Sequence, residues 1–140
     1  MDPFLNPDTS ADPFQRRTIG AGEIIFVEGQ QADAAFVILK GEVQAGSFGS
    51  HDNFIVLSRM TAGEMFGEIA LLTPDGKRTA STMTESGCEL LVIPREVFDR
   101  RLRKTDPLMH FVIDHLCRRV VRLTAKAVEA ELDDSRFQKP

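Results

Sequence analysis

At 140 residues, with 42% hydrophobic and 27% charged side chains, the chain has the size and composition of one globular domain with a short tail at each end. Seventeen basic against twenty-one acidic residues leave a formal charge of −4, which argues against a surface that binds nucleic acid by neutralising phosphates. Apolar runs such as Ile24–Val27 and Leu90–Ile93 are too short to cross a bilayer.

Residues 1–14 carry Asp-Pro-Phe at 2–4 and again at 12–14 and are rich in proline and aspartate. They are expected to form a flexible lead-in, helical or irregular, and the repeated tripeptide is read as coincidence. No basic stretch followed by an apolar one opens the chain, so a cytoplasmic protein is expected. From there short β-rich runs follow, each cut by glycine: Ile24–Val27, Ala35–Leu39, Glu42–Ala45, Phe54–Leu57, Thr79–Thr84 and Cys88–Ile93. Spacing of this kind predicts an all-β roll, barrel or sandwich. Gly-Glu recurs at 22–23, 41–42, 63–64 and 67–68, and the first three read as turns at strand ends.

After Ile93 the period changes. Pro94–Phe98 opens a helix placed at 95–104. Asp106 and Pro107 are a good N-cap and first-turn pair for a longer helix over 107–132. Leu108, Val112, Leu116, Val120 and Leu123 form one apolar row along it, and Ile113, Cys117, Val121 and Val128 a second. One row suits the roll, and the other suits a second copy of the helix. Strands first and helices last make the class α+β, mainly β. Residues 133–140 are read as a tail.

The stretch with most chemistry in it is 63–81. Phe66-Gly67 lets the backbone leave a strand and approach a ligand with no Cβ in the way. Glu68–Leu72 can form one or two helical turns whose first amides point outward, which suits an anion. Pro74-Asp75-Gly76 is a turn that delivers Arg78 at the head of a new strand, where a guanidinium can fork onto a phosphate. Glu68, an acceptor when ionised, suits a sugar hydroxyl instead. Phe66, Leu71 and Leu72 also read as core side chains.

These residues resemble the cyclic-nucleotide-binding domain family, whose phosphate cassette runs Phe-Gly-Glu-(Leu/Ile)-Ala-Leu, a variable loop, then Arg-(Ala/Thr/Ser)-Ala. Phe66–Leu71 and Arg78-Thr79-Ala80 match it position by position. Gly22-Glu23, Glu28-Gly29, Phe36-Val37-Ile38 and Gly41-Glu42-Val43 match its earlier framework, so the likeness spans 15–132. The resemblance implies an eight-stranded antiparallel β-roll over 18–94, jelly-roll-like, with a short cassette helix and the two C-terminal helices. It implies that Glu68 binds the ribose 2′-hydroxyl and Arg78 the phosphate, with the backbone of Gly67, Ile69, Ala70 and Ala80 completing the cradle. Val56 and Leu57 are candidates for the purine wall, and Thr124 for a contact from the long helix acting as a lid. Thr79 permits cyclic GMP without excluding cyclic AMP, the favoured ligand.

The expected function is therefore a cyclic-nucleotide sensor that relays occupancy through its C-terminal helices to an unknown effector, with a homodimer seam on 107–132. The alternatives are a ligand-independent interaction roll, or the ligand-binding fragment of a longer transcription regulator or channel. Catalysis is not expected. His51-Asp52 lies in a loop, and His110 and His115, five apart on a helix, point about 140° from each other, so no metal or other cofactor is expected. The basic residues Arg118, Arg119, Arg122 and Lys126 read as a solvated helix face, so specific DNA binding is not expected either. Cys88 and Cys117 read as free, buried thiols.

Overall fold

The structure, a computed structural model, describes residues 14–137, with side chains through residue 126. The lead-in placed at 1–14 and the end of the tail therefore fall almost wholly outside the described residues. Seven strands are found: β1 (Gln15–Ile19), β2 (Ile24–Phe26), β3 (Ala34–Phe48), β4 (Phe54–Thr61), β5 (Met65–Phe66), β6 (Ser81–Met83) and β7 (Cys88–Pro94). Helix α1 (Ile69–Leu72) sits between β5 and β6, and α2 (Arg95–Arg103) and α3 (Pro107–Phe137) follow β7.

Every pairing is antiparallel, and β3 is the spine. The order runs β1-β7-β3-β6-β2, with β4 and β5 also paired to β3. Two runs expected as separate strands, Ala35–Leu39 and Glu42–Ala45, are one strand of 15 residues, and seven strands stand among the described residues where the resemblance implied eight. Gly41, at φ +88°, takes the bend without ending the pairing, and the register with β7 shifts just before it, between Ile38 and Lys40.

Period-2 alternation along β3 explains the two cores. Ala34, Phe36 and Ile38 face into the roll and meet Ile19, Val43, Phe66, Cys88 and Leu90. Ala35 and Val37 face outward and meet Ala32, Leu91, Ile93 and the α1 residues Ala70 and Leu71, with Phe98 of α2 packed on them. Because both faces are buried, the run Ala34–Leu39 is apolar throughout rather than alternating. Inside the roll Phe26, Phe36 and Phe66 form a ring trio with centroids 5.2–6.1 Å apart. Each such ring removed from water stabilises the fold by roughly 1.5–3 kcal/mol.

β1 is a strand that the apolar runs do not announce. In Gln15–Ile19 only Ile19 is buried, and the pairing of the segment with β7 holds it. Pro94, expected near the first turn of α2, is its N-cap. Asp106 caps α3, its Oδ1 accepting from the amides of Leu108 (2.7 Å) and Met109 (3.4 Å). α3 runs to Phe137, past the expected end at 132, since no glycine or proline stops it before Pro140.

The chain divides after Lys104 into two compact units, the roll with α1 and α2, and α3. On α3 the two apolar rows differ sharply in exposure. Cys117 is buried and Ile113 and Val121 are half-buried, while Leu108, Leu116, Val120 and Leu123 are all exposed, Leu123 by 60%. Cys88 and Cys117 are both buried, and neither forms a disulfide among the described residues.

Candidate functional site

The segment from Phe66 to Ala80 begins where β5 ends. Phe66 is buried in the ring trio. Gly67 has φ +81°, and a Cβ there would stand 2.9 Å from Nη1 of Arg78 and within 3.4 Å of the Phe26 and Phe36 rings. Glycine is thus required twice over, by conformation and by room. Glu68 follows as the N-cap of α1, with its side chain making no cap bond. In a helix this short the amides of Ile69 and Ala70 belong to the first turn and have no acceptor within it. Ala70 and Leu71 are buried against the outer core, anchoring the helix.

The loop back to Arg78 is built by its own side chains. Asp75 Oδ1 accepts from the Lys77 amide (3.1 Å) and the Thr73 hydroxyl (3.3 Å), and the Gly76 amide donates to the Thr73 carbonyl (3.2 Å). Arg78 was expected to open a strand. It instead lies in the loop, since β6 starts at Ser81, and its main chain is held by the Gly29–Gln30 turn, donating to the Gln30 carbonyl (2.8 Å) and accepting from the Gly29 amide (2.9 Å).

The Arg78 side chain is held from several sides. Only 4% exposed, it donates from Nη1 to the Gly67 carbonyl (2.8 Å) and from Nη2 to the Ala34 carbonyl (2.7 Å). Its guanidinium carbon lies 4.0 Å from the centroid of Phe26, and Asp33 Oδ1 is 3.8 Å from Nη2. Burial pulls its pKa down, Asp33 opposes that shift, and Arg95 adds to it. A guanidinium has five N–H donors, so these two bonds fix its position and leave three for something else. Phe26, Ala34 and Asp33, which hold it, were not singled out by sequence, and Phe36 was read only as framework. Their contact with a residue more than forty positions away leaves no local signal.

Glu68 presents the complementary want. It is half-buried, its Oε2 is fully shielded, and that oxygen has no hydrogen-bond partner. Desolvation raises its pKa from the ordinary value, with its own backbone amide pulling the other way. A shielded acceptor without a donor is a poor element of a finished core and a good one of an open site, where a ligand hydroxyl supplies the missing donor.

Thr79 is exposed and Ala80 half-buried beside Arg78. Of the two proposed wall residues, Leu57 is 42% exposed, while Val56 is half-buried and paired with Gly46. A bulge produces this: Ala45 pairs with Ser58 and Gly46 with Val56, so Leu57 has no direct partner. Gly46 has no room for a side chain, because a Cβ would collide with the Ile55 carbonyl. Ile55, half exposed, is an available apolar side chain that sequence reading passed over, since the bulge breaks the alternation that would have pointed to it. Thr124 is exposed on α3. Phe26, Phe36 and Arg78 also border an open cleft of about 430 Å³ with Arg17, Ile25, Gln30, Gln31 and Asp33. Among the described residues no three His, Cys, Asp or Glu side chains group as metal ligands, and no helix is long and apolar enough to cross a membrane.

Comparison with known proteins matches residues 16–105 to the family described as cyclic nucleotide-binding domain. The cyclic AMP receptor protein of Thermus thermophilus is 29% identical over 131 residues, covering 94% of this chain and 58% of that protein. The mouse cGMP-dependent protein kinase 2 is 30% identical over 92 residues, covering 65% of this chain and 12% of the kinase. Among solved structures, the EAL enzyme Bd1971 superposes with TM-scores of 0.69 in its cAMP-bound form (27% identity) and 0.70 in its cGMP-bound form (29%). Each superposition covers 89% of this chain and about a third of that enzyme, 32% and 33%. The chain thus spans between an eighth and three fifths of the length of these relatives. In the kinase and the EAL enzyme, the part that resembles this chain is a small share of a larger protein.

Proposed function

Because the chain belongs to the cyclic nucleotide-binding domain family, we propose that it is a non-catalytic sensor that holds cyclic AMP or cyclic GMP between α1, Arg78 and Glu68. One observation carries this reading: two charged side chains meet at Gly67–Leu72, Arg78 bonded to the Gly67 carbonyl with donors beyond its two bonds, and Glu68 within the segment, shielded with an acceptor to spare. A cyclic phosphate-ribose is an anion with one free hydroxyl, and it supplies what each lacks. The phosphate takes the Ile69 and Ala70 amides and the remaining Arg78 donors, with Gly67, Thr79 and Ala80 lining the same turn. The 2′-hydroxyl donates to Glu68. Leu57, with Val56 and Ile55, offers the apolar wall for the purine. The exposed Thr79 hydroxyl suits the amino group of guanine, and the relatives named above include proteins of both nucleotides.

Binding that differs between two arrangements of the C-terminal helices shifts their populations, and that shift is the signal to a partner protein in the cytoplasm. The test is thermal unfolding with cyclic AMP, cyclic GMP or linear 5′-AMP. Ligand at 100 times its Kd stabilises the native state by about 2.7 kcal/mol, so a cyclic nucleotide should raise Tm by several degrees. Linear 5′-AMP, doubly charged and without the ring, should not. An equal shift with 5′-AMP would contradict a site shaped for the cyclic ester.

The exposed row Leu108, Val112, Leu116, Val120 and Leu123 is the proposed seam of a homodimer. Sedimentation should give twice the chain mass, and Leu116→Glu with Val120→Glu should give the monomer. Monomeric wild-type protein at tens of micromolar would remove the seam from the account.

A further inference from the structure

Arg95, the first residue of α2, is half-buried beside the loop that precedes Arg78 and takes no part in the reading above. Its Nε donates to the Ala32 carbonyl (3.0 Å), and its own amide donates to the Asp33 carbonyl (2.8 Å). Its Nη2 is fully shielded and has no acceptor. That nitrogen lies against the loop, 3.1 Å from where a Cβ on Gly76 would stand.

The same short segment, Gln30–Ala34, is stitched to the cassette from the other side. Its Ala32 amide donates to the Gly76 carbonyl (2.8 Å), its Gln30 carbonyl accepts from the Arg78 amide (2.8 Å), and its Ala34 carbonyl accepts from Arg78 Nη2 (2.7 Å). Ala32 is therefore bonded through its amide to the cassette loop and through its carbonyl to α2. A shielded guanidinium nitrogen without a partner disfavours this arrangement, and a carbonyl brought to it by a shift of the loop would relieve that cost.

We propose that Arg95 is the positioning residue that ties the cassette to α2, its free Nη2 taking a carbonyl of the Thr73–Gly76 turn when a bound cyclic nucleotide draws that turn in. The inference rests on the sensor reading and names the side chain that carries occupancy out of the site. Ligand and α2 are then linked through one two-headed contact. Lysine keeps the charge but has a single head, so it can serve the Ala32 carbonyl or the turn and not both.

The experiment is amide hydrogen exchange, with and without saturating cyclic AMP, on the full chain and on Arg95→Lys. In the wild type, ligand should slow exchange in Glu68–Leu72 and in Val97–Arg103 together. In Arg95→Lys the slowing in Glu68–Leu72 should persist and that in Val97–Arg103 should disappear, while affinity falls about 5-fold or more, since a coupling between two sites acts equally in both directions. Wild-type protein that responds at the cassette and not at α2 overturns the proposal and leaves the sensor reading standing, a result that does not depend on how well the variant folds. A full α2 response in Arg95→Lys overturns it equally. No binding of cyclic AMP or cyclic GMP to the folded wild type removes the sensor reading and this inference with it.

Discussion

Arg78→Lys is expected to lower affinity for cyclic AMP by about 100-fold while leaving a folded protein, and Arg78→Ala is expected to lose both binding and much of its stability. The two effects arise from the two ends of one side chain. Toward the protein, the guanidinium satisfies the carbonyls of Gly67 and Ala34 and covers Phe26. Its remaining donors are the ones proposed to meet the phosphate. A lysine can meet one carbonyl or the phosphate with one compact ammonium and cannot reproduce the fork. Charge-assisted bonds of about 1.5–3 kcal/mol are then lost from the ligand, and each 1.4 kcal/mol is tenfold in Kd. In the alanine variant two shielded carbonyls are left without donors at about 1–3 kcal/mol each. Urea unfolding and nucleotide titration on both variants separate the terms. A lysine variant that binds within about threefold of wild type would show that Arg78 is only a structural clamp.

Glu68→Gln should move stability and affinity in opposite directions. The shielded Oε2 has no partner, and burial raises the carboxyl pKa, so the ionised group is less favourable in the folded chain than in the unfolded one. A neutral amide of the same shape removes that strain, and the unliganded variant should melt higher than wild type at neutral pH. It also replaces a carboxylate acceptor with a weaker one, which should reduce cyclic-nucleotide affinity by about tenfold.

The pH dependence follows from the same shift. For an acid whose pKa is higher folded than unfolded, the folded state holds the proton more tightly. Its contribution to stability is present in full below the unfolded pKa and is lost as pH rises through the folded one. Ligand binding favours the ionised form, so affinity should weaken as pH falls from neutral through the raised pKa of Glu68, and this slope should vanish in Glu68→Gln. A variant less stable than wild type, with an unchanged pH profile, would place the carboxylate outside the site.

These effects bear on what a sequence shows by itself. Phe66–Leu71 and Arg78-Thr79-Ala80 are legible because the cassette is nearly contiguous and its chemistry depends on neighbours in the chain. The strands with apolar runs are legible for a similar reason, as is the Asp106 cap of α3. β1 is not, because Gln15–Thr18 are exposed and the pairing with β7 that makes them a strand is more than seventy residues distant. Arg78 was readable as a phosphate ligand and unreadable as a core residue, since Ala34 and Phe26 reach it only through the curl of β3 over β6 and β2. The bulge at Gly46 hid Ile55 in the same way. A residue whose role comes from contacts across the roll carries no mark in its own neighbourhood, and Arg95 is the clearest instance: its position at the start of a helix gives no hint of the shielded nitrogen against Gly76.

The central claim is that this roll binds a cyclic nucleotide through Arg78, and calorimetric titration of cyclic AMP and cyclic GMP into the wild-type chain and into Arg78→Lys tests it most directly. The account predicts a saturable heat with micromolar or tighter Kd for at least one of the two, weakened about 100-fold in the variant, as the loss of about 2.7 kcal/mol of charge-assisted bonding requires. Well-folded wild-type protein that gives no heat with either nucleotide would contradict it and would leave the roll as a surface for protein partners.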